Sequence, residues 1–168
     1  NQYAQTPGLS ESSQKMLKKL ISDCQFSIEA VKNPVVFTPR NLGKSVNSPD
    51  DEYLPVVTAD EETLIFTRRG NKNEDFYQSK KQNSEWLPST YLSSSINTTK
   101  FNEGSQCISP DGMYLFFTGC NRPDGLGRCY IYVCIREGKD WSQPFNLGAP
   151  VNGPGWESQP SISADGRT

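Results

Sequence analysis

The residues of this chain best suited to chemistry are carboxylates that recur and cysteines that do not. Glu52, Glu103 and Glu157 form one set, and Asp60, Asp111 and Asp165 a second. Carboxylates can act as general acids and bases or ligate a cation. Five cysteines, Cys24, Cys107, Cys120, Cys129 and Cys134, could serve as nucleophiles, ligands or disulfide partners. The sequence contains no histidine. That removes the commonest general base, a Ser-His-Asp triad and most catalytic zinc sites. Neither an EF-hand nor a nonapeptide calcium loop is present, and the cysteine spacing and co-ligands do not suit zinc. An odd cysteine count leaves at least one thiol unpaired within the chain.

The acids make sense once the elements that carry them are set side by side. VNSPDDEYLPVVTADEETLIFTRR (46–69), INTTKFNEGSQCISPDGMYLFFTGC (96–120) and VNGPGWESQPSISADGRT (151–168) align, bringing Asn47, Asn97 and Asn152 together with the two acidic sets. EDFYQSK (74–80) aligns with CYIYVCI (129–135), Trp86 with Trp141, and NLG at 41–43 with NLG at 146–148. The repeats fall near 41–95, 96–150 and 151–168. Each whole unit reads as four short strands: VVTAD or QCISPDG ending in a tight turn, an apolar aromatic run (TLIFTRR or MYLFFTGC), a polar hairpin, then DFYQSK or YIYVCIR, and a Trp-containing exit strand. Four strands in such a period is the signature of a β-propeller blade. The expected fold is mainly β: an incomplete β-propeller of about two four-stranded blades plus the start of a third, over 34–168.

The S-x-D-G turn followed by an aromatic-rich strand, as in SPDGMYLFF and SADGRT, resembles the WD-repeat-like, TolB-type propellers of bacterial envelope proteins. NLGKSVNSPDDEYLPVVTADEETLIFTRR, CNRPDGLGRCYIYV and WSQPFNLGAPVNGPGWESQPSISADGRT are similar to a narrower family. These are Bacteroidota outer-membrane proteins that combine tetratricopeptide repeats, a propeller and an OmpA-like peptidoglycan-binding domain, one subgroup of which serves type IX secretion. The resemblance covers roughly residues 20–168. Tyr130 departs from it, because the first repeat has Asp75 there and the family favours Asp.

Residues 1–33 read as an N-terminal helical segment. Met16, Leu17, Leu20, Ile21, Cys24, Ile28 and Val31 lie on one face at helical spacing, Ser10 suits the N-cap, and Asn33-Pro34 stops the run. The segment resembles the end of a tetratricopeptide region; packing on the side of the propeller is the alternative. Since the second strand of a third unit does not appear, the chain reads as a fragment, or the ordered portion, of something longer.

The remaining totals narrow the partners. The chain has 168 residues, net charge −2, and 34% apolar residues, with pI about 5.2 and mean hydropathy −0.65. No basic stripe favours nucleic acid, and no apolar run approaches the roughly 18 residues needed to span a bilayer. Nothing calls for a cofactor.

Each candidate residue then has two readings. A ring of Glu52, Glu103 and Glu157 could bind a cation or a basic partner; the plainer reading has each carboxylate accept backbone N–H bonds from a neighbouring blade and fix register. Asp60, Asp111 and Asp165 read as turn residues. Cys120 and Cys129 flank NRPDGLGR at the neck of a hairpin, where facing positions approach the separation a disulfide needs, and an oxidising periplasm would allow the bond; two reduced thiols are the alternative. Cys24, Cys107 and Cys134 read as small packing residues. Trp86 and Trp141 are expected between sheets. Trp156 has no matched partner and is a candidate anchor for another protein.

The expected function is a non-catalytic interaction scaffold on the periplasmic face of the outer membrane. Its partners would be other envelope proteins. Peptidoglycan would be reached only through a domain outside this chain, with no direct membrane insertion. Two alternatives carry different tests: a gate on a prolyl-oligopeptidase-type peptidase needs a downstream nucleophile elbow, and a carbohydrate-binding propeller needs stacking aromatics such as Tyr53, Tyr91 and Trp156.

Overall fold

The computed structural model describes residues 8–70, 73–125 and 128–168. The chain divides into two compact units, the first ending at Arg40 and the second spanning Asn41–Thr168.

The first unit is built on one helix, α1 (Glu11–Lys32). Ser10 adopts an extended backbone and its Oγ accepts from Ser13 N at 3.2 Å, which satisfies one of the orphan donors of the first turn. Glu11 in the first turn and Lys32 in the last complement the helix dipole. The surface pairs Lys19–Asp23 and Lys32–Glu29 add the small support of exposed ion pairs. Asn33 N bonds back to Glu29 O and Ala30 O, and Pro34 cannot continue the helix. No residue of α1 is buried, and Phe26 and Val31 stand 75% and 79% exposed.

The second unit is mainly β and propeller-like. Its first antiparallel sheet consists of β1 (Asp51–Val57), β2 (Thr63–Arg69), β3 (Glu74–Gln82), β4 (Glu85–Trp86) and β5 (Thr90–Tyr91). The second consists of β6 (Asn102–Ile108), β7 (Tyr114–Cys120), β8 (Cys129–Glu137), β9 (Asp140–Trp141) and β10 (Phe145–Asn146). The two share one plan. β2 lies between β1 and β3, and β7 between β6 and β8; the two short strands of each sheet both pair with its long third strand. Four strands per unit were expected, and each unit has five. The cause is the nine-residue length of β3 and β8, which leaves room for a dipeptide strand beyond the fourth. The β3–β4 turn has positive φ at both central residues, Asn83 (50°) and Ser84 (67°), as a two-residue hairpin loop of the primed type requires.

Equivalent residues share register. Thr67 faces Phe76 as Thr118 faces Ile131, and Arg69 faces Glu74 as Cys120 faces Cys129. Both first strands carry a bulge, between Tyr53 and Val56 and between Gly104 and Cys107. Leu54 (φ 51°) and Ser105 (φ 55°) take the left-handed conformation there, and Gln159 (φ 58°) does so at the matching place in the third repeat. Residues 157–162 run without a strand ladder, and a turn follows them.

The main core lies between the sheets. Ile65 and Phe76 of the first meet Ile108, Leu115, Phe117 and Tyr132 of the second, with Phe76 and Phe117 edge to face at 5.5 Å. Gln106 stitches the sheets. Its Nε2 donates to Leu54 O at 2.6 Å and Ile65 O at 3.3 Å, and its Oε1 accepts from Thr67 Oγ1 at 3.1 Å. Trp141 is buried in this cluster, whereas Trp86 packs beside a smaller one formed by Val46, Leu64 and Phe66.

Candidate functional site

The repeated aspartates each close a turn. The hydroxyls of Thr58, Ser109 and Ser163 donate to Asp60, Asp111 and Asp165, and the same carboxylates accept from Glu62 N, Met113 N and Arg167 N at 3.0, 3.0 and 3.1 Å. These bonds, led by the hydroxyl, hold all three carboxyls below the usual carboxylate range. A second contact zips each turn: Thr58 N donates to Thr63 O, Ser109 N to Tyr114 O and Ser163 N to Thr168 O.

Two of the repeated glutamates each hold an arginine. Glu52 accepts from Ser48 N and Oγ and pairs with Arg68 Nε at 2.7 Å. Glu103 accepts from Thr98 N and Oγ1 and pairs with Arg122 at 2.7 Å. The donors lie in the loop that leads into each glutamate's own strand, which differs from the neighbouring-blade N–H donors expected. Each guanidinium also bonds a backbone carbonyl, Arg68 to Val46 O at 2.7 Å and Arg122 to Ile96 O at 3.0 Å. Each stacks over its sheet's aromatics, Arg68 at 4.2 Å from the Tyr77 ring centroid and Arg122 at 5.2 Å from that of Tyr132. The Glu103 side chain is fully buried, and burial pushes its carboxyl up to about 7 against the pull of Arg122 and Thr98.

Glu157 breaks the pattern. Gly153 stands where Ser48 and Thr98 stand in the other repeats, so no hydroxyl reaches the carboxylate from that position. A Cβ added at Gly153 or Gly155 would lie 3.4 Å from Glu157 Oε1, which places the carboxylate beneath that turn. Glu157 Oε2 is shut off from solvent and has no hydrogen-bond partner among the described residues.

The arginines and the role of the repeated asparagines were not read from the sequence. Asn97 Oδ1 accepts from Phe76 N at 2.9 Å and its Nδ2 donates to Phe76 O at 2.8 Å; Asn152 does the same with Ile131 N and O, both at 2.8 Å. Each side chain therefore behaves as one residue of an extra strand against β3 or β8. The repeated apolar-Asn dipeptides Val46-Asn47, Ile96-Asn97 and Val151-Asn152 were the available signal.

Cys120 and Cys129 are joined by a disulfide, with Cα atoms 4.1 Å apart. Cys24 is exposed, Cys107 half-buried and Cys134 buried. Burial raises the Cys107 thiol and pushes that of Cys134 up to about 12, which leaves both poor nucleophiles at neutral pH. Tyr130, the departure from the expected Asp, is buried with its ring packed against Gly125, where a Cβ would come within 2.6 Å.

Trp156 is 65% exposed. It borders a hollow of about 630 Å³ whose apolar lining includes Phe116, Ile131, Leu147 and Ile162, and which Glu157 also lines. Of the aromatics considered for sugar stacking, Tyr53 donates its hydroxyl to Glu74, and Tyr91 packs on Tyr77 with ring centroids 4.6 Å apart. Among the described residues, no group of three or more His, Cys, Asp or Glu is placed to hold a metal ion, and no helix is long and apolar enough to cross a membrane.

No protein-family model matches the chain, and neither a curated protein nor a solved structure matches it.

Proposed function

We propose that this chain is a non-catalytic interaction scaffold: a stretch of WD-repeat-like β-propeller, two blades and the start of a third, belonging to a larger outer-membrane-associated protein of the bacterial envelope. The observation that carries the reading is a division of labour among its polar and aromatic groups. Asp60, Asp111, Asp165, Glu52 and Glu103 are all engaged in turns and ion pairs. Trp156 instead stands exposed beside a hollow of mixed lining to which Phe116, Ile131, Leu147 and Ile162 contribute the apolar part. Exposed aromatics at the edge of an apolar depression are the usual anchors of protein recognition. The envelope location, the periplasmic face and a link to type IX secretion rest on the resemblance of the repeats to Bacteroidota outer-membrane proteins.

The test is in-cell photo-crosslinking from position 156 in the producing bacterium, followed by fractionation. Adducts with envelope proteins in the outer-membrane fraction are expected. Adducts confined to the cytosol, or no adducts at all, would overturn the scaffold reading.

A further inference from the structure

We infer that the first repeat carries a saccharide site: a pocket in which an uncharged pyranose lays one face on Tyr91 and donates hydroxyl hydrogens to the Asp75 carboxylate. This goes beyond the scaffold reading and does not depend on it. Every group the site uses lies between residues 73 and 99, within the first repeat and its join to the second.

The pocket has a volume of about 500 Å³ and lies where the start of β3, the end of β5 and the loop into β6 meet. That is the size of a small-ligand site. Part of its wall is already spent. Both polar atoms of the Asn97 side chain bond Phe76, and the Thr98 hydroxyl bonds Glu103 Oε1 at 3.1 Å. The rest is open to a ligand. The Asp75 carboxylate accepts from Asn73 Nδ2 at 3.3 Å, its one side-chain bond among the described residues, and burial raises its carboxyl. Ser94 and Thr99 bring exposed hydroxyls. Tyr91 packs on Tyr77 with ring centroids 4.6 Å apart, yet remains 59% exposed.

The repeat itself requires none of these groups, because the second repeat folds without them. Asp75 corresponds to Tyr130, whose buried ring packs on Gly125 and fills the position that the shorter Asp75 leaves open. Tyr91 pairs with Tyr77 as Asn146 pairs with Tyr132, so an asparagine stands in place of the exposed ring. Asn146 spends its side chain on Asp124 O, Gly148 N and Asn152 Nδ2. Ser94 and Thr99 correspond to Ala149 and Pro154, which have no hydroxyl. The combination in the first repeat selects its ligand. A flat ring gives dispersion contact to the C–H face of a sugar. A carboxylate is a strong acceptor for sugar hydroxyls, and serine and threonine hydroxyls both give and take. An ammonium ion only donates, so it would leave the hydroxyl hydrogens of Ser94 and Thr99 unused. An acidic sugar would meet the like charge of Asp75.

The probes are the methyl glycosides of glucose, galactose, mannose and N-acetylglucosamine, each titrated into the isotope-labelled full chain and followed by amide NMR. Methyl glucuronide and tetramethylammonium serve as charged comparisons. Saturable shifts of the Asp75, Tyr91, Ser94 and Thr99 amides are expected with at least one neutral glycoside. For that glycoside, Asp75→Ala and Tyr91→Ala should each weaken binding by about tenfold or more. Asp75→Asn, which keeps the shape but loses the charge, should weaken it less. Thermal melting without sugar checks that the variants are folded, and Thr99→Val, an exposed change, should weaken binding with no effect on melting. Absence of saturable shifts from all four neutral glycosides overturns the proposal. So does binding indifferent to Asp75→Ala, glucuronide held as tightly as the glucoside, or tetramethylammonium held more tightly than any sugar. Each of these leaves the scaffold reading standing, because crosslinking at position 156 tests that separately.

Discussion

Arg68 and Arg122 do the same work from places that do not align. Arg68 lies within β2, whereas Arg122 lies beyond the end of β7, in the hairpin loop. The residue aligned with Arg68 in the second sheet is Gly119: Glu52 faces Arg68 and Glu103 faces Gly119. Gly119 is what allows the exchange. A Cβ there would come within 2.9 Å of both Arg122 Nε and the Tyr132 ring, so the missing side chain is the space through which Arg122 reaches Glu103. The second repeat has thus moved its arginine along the chain while keeping its carboxylate, carbonyl and aromatic partners.

Removing Arg122 should therefore hurt more than removing Arg68. The Glu103 side chain is 0% exposed, against 12% for Glu52. Taking away one partner of a buried pair leaves an uncompensated charge, at a cost of about 3–5 kcal/mol. Arg122→Ala is expected to fall in that range at pH 8, and Arg68→Ala below it, by denaturant unfolding. Equal losses would mean that burial of the carboxylate does not set the energy.

The pH dependence should carry the mark of Glu103. Its carboxyl is raised from the ordinary 4.5 to about 7 in the folded chain, first by burial. Between those values the folded state holds a proton that the unfolded state has released. This contribution to stability is complete below about pH 4.5 and is lost as pH rises through 7, with an upper bound of about 3 kcal/mol since each unit is worth about 1.4. Melting temperatures from pH 4.5 to 8 should fall less steeply for Glu103→Gln than for the unaltered chain. Parallel curves would show that Glu103 ionises normally.

The asparagine clamps give a third expectation. Asn152 is 7% exposed, and Ile131, whose N–H and carbonyl it holds, is 6% exposed. Asn152→Ala would orphan Ile131 N, while Ile131 O keeps the bond from Leu147 N at 3.2 Å, and a buried unsatisfied group costs about 1–3 kcal/mol. A loss of about 1–3 kcal/mol is expected from urea unfolding at pH 7. Asn152→Asp should restore only part of the loss, because a carboxylate accepts from Ile131 N but has no hydrogen to give Ile131 O and meets it as a second acceptor.

What was legible in the sequence was what each repeat does with its own residues. Asp60, Asp111 and Asp165 close a turn within a few positions of themselves, so residue type and neighbours suffice. Ser10 and Asn33 delimit α1 by equally local bonds, and the hairpin neck at Cys120 and Cys129 follows from strand register. What was not legible depends on geometry across the repeat. Arg122 had no aligned counterpart and reaches Glu103 through a space left by a glycine. Asn97 and Asn152 stood out as repeated, but their targets lie 21 positions away on the third strand, beyond what spacing alone can assign. The fifth strand of each sheet came from the length of β3 and β8, where the polar ends Lys80-Lys81-Gln82 and Arg136-Glu137 carry little strand signal.

The five cysteines should separate into four classes under native alkylation. Cys24 is exposed on α1 and should react with iodoacetamide first. Cys107 is half-buried with a raised thiol and should follow slowly, while Cys134, pushed up to about 12 and fully buried, should react only on unfolding. Cys120 and Cys129 should remain unlabelled until a reductant is added, and peptide mapping should find them as one linked pair. Their positions close a short loop with a sequence separation of 9. The chain-entropy argument assigns a loop of that size about 2–3 kcal/mol. The double change Cys120→Ser, Cys129→Ser should lower unfolding stability by that amount, with the unaltered protein under strong reductant showing the same loss. A reduced chain as stable as the oxidised one would place the hairpin's stability in the β7–β8 ladder alone. That ladder pairs seven residues on each strand and ends at these two cysteines, so the bond should matter most for fraying of the loop mouth. Amide exchange at Asn121, whose N–H donates to Arg128 O, should accelerate on reduction before the rest of the sheet does.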